Sequence, residues 1–142
     1  MSGIIKKTVF VFMVVVVFGS NAWGGWFSFE PNVLLIDGSP VALKLEDIQK
    51  ESSYIEKGDL AQAKQLIEDE KVYIIKAGKD FTRVKYDTYV ENEGGIFVRV
   101  KDESGTKLWV NMLGLACEGE DGKERLVTKL DLDKGKFKPL SK

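Results

Sequence analysis

Between residues 72 and 130 apolar side chains recur at every second position in short runs, and glycine-bearing turns break the runs at close intervals. The runs cover 72–76, 81–90, 96–101, 107–111 and 113–117, and a further one over 125–130 follows the Asp121-Gly122 turn. Between them lie Ala-Gly-Lys, Glu-Asn-Glu-Gly-Gly, Asp-Glu-Ser-Gly and a Met-Leu-Gly turn. A period of two is the pattern of half-buried β-strands. Several such strands in succession predict a small barrel.

Upstream the period changes. Ser39-Pro40 predicts a helix start, because a serine oxygen caps orphan amides and proline's missing N–H costs nothing at the first helical position. Val41, Leu45, Ile48, Ser52 and Ile55 then recur at three- and four-residue spacing, one face of a helix. Gly58 is placed to end it, and Asp59 to cap a second helix with Leu60, Ala63, Leu66 and Ile67 on its apolar face. The stretch 54–63 resembles a single tetratricopeptide hairpin. Such repeats need neighbours to bury their faces, and with one copy present the expected role is a lid on the sheet. The expected fold class is α+β, an N-terminal helical hairpin packed on a small barrel.

The opening residues address the compartment. Lys6 and Lys7 precede an apolar run over 9–18, and small residues at Ser20 and Ala22 suit signal-peptidase cleavage after Ala22. Gly19, Ser20 and Asn21 end the run short of the roughly 20 residues of a spanning helix. The chain is therefore expected to be exported, periplasmic or secreted, with no stable membrane anchor after cleavage. Removal of residues 1–22 takes two of the 21 basic side chains and none of the 22 acids, which leaves a net charge of −3. The expected divisions are 1–22 signal peptide, 23–38 an aromatic, glycine-rich segment with Trp23, Trp26, Phe27 and Phe29, 39–71 helical hairpin, 72–130 barrel and 131–142 basic tail.

Several chemistries lack their residues. With one cysteine, Cys117, and no histidine, zinc sites and serine or cysteine triads lose the groups they require. Gly94-Gly95 lies between strands and reads as a hairpin turn, so no phosphate loop is expected. Asp131-Leu-Asp133-Lys-Gly135 has part of a calcium-loop spacing but lacks the third acid and the closing glutamate. Residues 123–142 carry seven basic and three acidic side chains, scattered along an otherwise acidic chain, so nucleic acid is not an expected partner and the tail is expected to be solvated. No catalytic residue, cofactor or metal is assigned.

Residues 72–85, with Gly78 and Val84, and residues 94–110, with Gly94-Gly95, Val98-Arg99-Val100, Gly105-Thr106 and Trp109-Val110, resemble bacterial SH3-like (SH3b) domains. The resemblance covers about 45 residues. Leu108 stands where a glycine before the tryptophan is common in that family. The resemblance implies a small SH3-like β-barrel, and a ligand of the kind such domains bind, a cell-wall peptide or a protein segment.

The pleat supplies a register independently. If Gly105 takes the positive φ of a five-residue loop between Lys101 and Lys107, Val98 opposes Val110, Val100 opposes Leu108, and Arg99 opposes Trp109. Trp109, Phe97 and Arg99 then share the outward face, with Arg99 placed for a cation-π contact, and Tyr86 and Tyr89 as further members of a ligand- or partner-binding patch. The competing expectation is that the helices or the aromatic segment cover that face. The functional expectation is an exported, non-enzymatic binding module for a peptide, cell-wall fragment or envelope protein. The alternatives are an inhibitor presenting the loop 91–95 to another enzyme's cleft, or a hydrolase with an acid pair.

Overall fold

The computed structural model of the protein describes residues 29–76 and 82–141. The expected signal peptide, Trp23, Trp26, Phe27 and the turn around Gly78 lie outside the described residues. Among the described residues the fold is α+β, with three helices and an eight-stranded antiparallel sheet that curls into a half-barrel. Its strands are β1 (Val33–Leu35), β2 (Pro40–Ala42), β3 (Tyr73–Ile74), β4 (Thr82–Asn92), β5 (Gly95–Lys101), β6 (Lys107–Asn111), β7 (Leu115–Glu118) and β8 (Glu124–Leu126). They lie in the order β3-β2-β6-β5-β4-β1-β7-β8. The helices are α1 (Leu45–Glu56), α2 (Leu60–Glu68) and α3 (Lys129–Lys134), and a 3-10 turn (Met112–Gly114) joins β6 to β7. No helix among the described residues is long and apolar enough to cross a membrane.

The curl is made by β4. Its first residues pair with β1, Val33 opposite Val84, while the remainder pairs with β5 from Lys85 opposite Lys101 to Asn92 opposite Gly95. A register shift between Tyr86 and Thr88 marks a bulge, which bends and twists a strand, so one chain serves both halves of the sheet.

Between β5 and β6 the register is the one the alternation predicts: Val98 opposes Val110, Val100 opposes Leu108, and Arg99 opposes Trp109. Gly105 has φ 89°. Asp102 organises this loop, its Oδ1 accepting from the Ser104 and Thr106 amides at 2.9 Å each and from the Ser104 hydroxyl at 2.6 Å.

This hairpin is buried on both faces. Val98, Val100, Leu108 and Val110 join Val33, Leu35 and Leu115 in the principal core. On the reverse face Phe97 packs with Ala42, Ile48 of α1, Leu66 of α2 and Val72, and Trp109 lies half-buried against the same group. The helices thus lie on the face that the alternation turns away from the principal core.

Three local expectations are corrected. Ser39-Pro40 does not begin a helix: Pro40 opens β2, where proline is tolerated as a first strand residue, and Val41 pairs with both Tyr73 and Val110. The β-branched Val41 gains complete burial there, and α1 begins at Leu45. The strand expected over 125–130 stops at Leu126. Thr128 and Asp131 form a capping box that starts α3, which ends at Gly135 with φ 64°. The basic tail is not merely solvated, for Leu132 and Leu140 are buried and the Leu140 amide donates to the Pro31 carbonyl at 2.9 Å. Gly58 (φ 78°) and the Asp59 cap on the Gln62 amide, by contrast, stand between α1 and α2 where the sequence puts them.

Truncating Phe97, which is fully buried, removes the ring that joins helices to sheet. Phe97→Ala is expected to lower unfolding stability by about 3–5 kcal/mol, measured as a fall in the urea midpoint with the slope unchanged.

Candidate functional site

The five residues expected to form one patch divide between the two faces of the sheet. Arg99 and Trp109 do meet, the guanidinium carbon 5.6 Å from the ring centroid. Arg99 also donates to Asp87 at 2.7 Å, with Lys101 3.8 Å from the same carboxylate. Phe97 lies beneath the helices without exposure. Tyr86 and Tyr89 oppose Val100 and Val98, which places them on the other face, against the principal core. Tyr86 packs on Phe137 with ring centroids 5.1 Å apart, and the Tyr89 hydroxyl donates to Asp133. Burial pushes the Tyr86 phenol up, and the bond to Asp133 does the same for Tyr89. The sheet thus brings Phe97, Arg99 and Trp109 onto one face, with Phe97 and Trp109 packed against the helices, and leaves the tyrosines elsewhere.

Among the described residues two hollows stand out, and they differ in what their polar groups already do. One, about 590 Å³, lies by β7 and α3 and is lined by Cys117, Glu118, Arg125, Asp131, Lys136 and Phe137 among others. Glu118, Arg125 and Asp131 are already engaged. Arg125 binds Asp131 through two bonds of 2.7 and 2.8 Å, and Asp131 also accepts from the Thr128 amide, which together hold its carboxyl well below the usual carboxylate range. Glu118 accepts from Ser141, and burial pushes the Cys117 thiol up, away from the thiolate a nucleophile needs. Asp131 and Asp133 of the partial calcium spacing are both occupied in this way.

The other hollow is an apolar groove of about 690 Å³ at the end of the half-barrel. One wall is the C-terminal half of α1, with Glu51, Ser52, Ile55 and Glu56. The opposite wall is the β4–β5 turn, Gly94, Gly95 and Ile96, and the floor is Asn111, Met112 and Leu113, with Pro40 alongside. Asn111 fixes the floor, its Oδ1 accepting from the Leu113 amide at 3.0 Å while its Nδ2 reaches the Ser52 hydroxyl at 3.4 Å. Leu113 is 72% exposed and Ile55 49%, so the rim presents apolar side chains to solvent.

Glu51 is the exception in this wall. The residue is only 6% exposed, yet among the described residues its carboxylate has no hydrogen-bond or ion-pair partner. Burial pushes its pKa above the usual value of 4.5. Among the described residues no lysine or arginine lines the groove, whereas Glu56 adds a second acid. Among the described residues no three acids or cysteines gather as a metal-binding set. No known protein family, curated protein or solved structure matches the chain.

The alternation that gave the barrel register says nothing of this groove, because it forms where elements end. One signal was present in the sequence: Glu51 falls between Ile48 and Ile55 at spacings of three and four, an acid on an apolar stripe.

The buried, partnerless acid has a definite pH signature. The unfolded chain ionises Glu51 freely while the folded chain resists, so stability falls as pH rises from the ordinary glutamate value through the raised folded one. Glu51→Gln removes that cost and keeps the shape. At pH 7–8 the variant is expected to be about 1 kcal/mol more stable, seen as a thermal midpoint roughly 3–6 °C higher. The gap closes as pH is lowered below 4.5, which a series of melts across pH measures.

Proposed function

We propose that this protein is an exported, non-enzymatic binding module on an SH3-like half-barrel, and that it holds a segment of cell-wall peptide or of an envelope protein in the groove between α1 and the β4–β5 turn. The observation that carries the reading is the pairing of an apolar groove with one buried acid that the described chain leaves unpartnered. A large apolar pocket with a few convergent polar groups is the usual form of a ligand site. The SH3-like reading is supported by β4, one bulged strand shared between the two halves of a small antiparallel sheet, and by the α1–α2 pair lying on its outward face. Export rests on Lys6, Lys7 and the apolar run that follows them.

A hydrolase would need two carboxylates placed across a substrate. In the groove the second acid, Glu56, belongs to the same helix as Glu51, and the facing turn supplies only Gly94, Gly95 and Ile96. That arrangement favours holding a ligand over cleaving one. The inhibitor alternative gives loop 91–95 a protruding role, whereas Gly94 and Gly95 here form a groove wall.

Co-sedimentation with purified peptidoglycan sacculi tests the reading. The protein is expected to pellet with sacculi, and Leu113→Asp, a change at a 72% exposed rim position, is expected to weaken this about tenfold or more with folding intact. Pelleting that Leu113→Asp leaves unchanged places the contact away from the groove. A folded protein that stays in the supernatant removes the wall as the source and leaves a protein segment.

A further inference from the structure

The groove's chemistry narrows its occupant. Glu51, a residue 6% exposed whose carboxylate has no protein partner among the described residues, is partly desolvated, and no group of the described fold offsets that cost. A cation arriving from outside supplies the missing partner, and no lysine or arginine among the described lining residues competes for that place. Around the acid the walls are alkyl: Pro40, Ile55, Ile96, Met112 and Leu113. An occupant therefore needs an apolar stem as well as a positive end. At the turn Gly94 and Gly95 present backbone without side chains, which leaves room for a second chain to lie across the opening.

We infer that the groove takes the side chain of a lysine in a peptide, its four-carbon stem against the Pro40, Ile96 and Met112 wall and its ammonium on Glu51. Lysine suits the site better than arginine. An ammonium has three hydrogens to satisfy, and the Glu51 carboxylate with the neighbouring Ser52 hydroxyl offers acceptors on that scale. A guanidinium carries five donors in a fixed plane, more than this wall receives. The flexible stem also buries along apolar surface while its charged end stays paired. The inference rests on the reading of this groove as a ligand site.

The test is an amide-shift titration of the purified protein with acetyl-Gly-Lys-Leu-amide. Control peptides carry norleucine, Nε-acetyl-lysine or arginine at the central position. The lysine peptide is expected to shift the Gly95, Ile96 and Leu113 amides and to bind about tenfold or more tightly than the norleucine and acetyl-lysine peptides. Glu51→Gln is expected to abolish that preference. The acetyl-lysine control removes the charge on the ligand, so the outcome does not hang on one variant. Norleucine or arginine binding as tightly as lysine overturns the inference and leaves the groove as a ligand site. A lysine preference that survives Glu51→Gln overturns Glu51 as the partner. Shifts from none of the peptides, or shifts confined to other elements, overturn both the inference and the groove reading.

Discussion

The β5–β6 hairpin is buried on both faces, and the rest of the fold follows from satisfying each. Val98, Val100, Leu108 and Val110 point to one side and require the curl of β4, β1 and β7 around them. Phe97 and Trp109 point to the other and require a second layer. An isolated sheet leaves Phe97 in water, and burying a ring of that size is worth about 2–3 kcal/mol. Ile48 and Leu66 supply the cover from successive helices, and Ala42 and Val72, on either side of those helices in the chain, complete the cluster. The helical excursion between β2 and β3 is thus anchored at both ends by the ring it covers.

Cover of this kind explains which parts of the fold the sequence made legible. Wherever a side chain's direction follows from strict alternation, the register could be read directly, as in the opposition of Arg99 and Trp109. Gly58, Asp59 and Gly105 were legible because each performs a local backbone task. Pro40 misled because a proline after serine has the same local signature at a helix start and at the first residue of a strand. The difference is made by Val110 and Tyr73, partners far along the chain that pair with Val41. Thr128 was misjudged for the opposite reason. The strand expected over 125–130 runs through it, but its side chain closes a capping box with Asp131 and turns the backbone into α3. The candidate groove was the least legible part, since its walls come from the end of a helix, a hairpin turn and a 3-10 turn. No single stretch of sequence has a period that announces such a meeting.

Glu51 is where local consistency fails. Its neighbours on the stripe, Ile48 and Ile55, are apolar, and an alanine or leucine at position 51 would serve helix and packing better. Places where a chain departs from its own pattern without internal compensation are where binding sites are expected. Asp102 makes a useful contrast. It is 3% exposed and one oxygen lacks a partner, but the other organises a hairpin through three bonds, so its retention has a structural reason. Glu51 makes no bond of that kind among the described residues, and only its position in the groove accounts for it.

Helix α1 therefore serves two ends with one surface. Ile48 fastens it to Phe97, while Glu51, one turn further on, faces a groove whose floor hangs from Asn111 at the end of β6. The rigid part of the helix positions the acid, and the hairpin that Phe97 belongs to positions the opposite wall. Because Phe97 packs on α1 through Ile48 and lies beside Gly94 and Gly95 of the turn, one core ring helps set where both walls stand. On the proposed reading a ligand would find its contacts already placed, with little ordering cost left to meet on binding. The expense is carried in advance, as an uncompensated carboxylate in the free protein. On the proposed reading, filling the groove would return stability that the empty one forgoes, so occupancy and folding would be linked through one side chain.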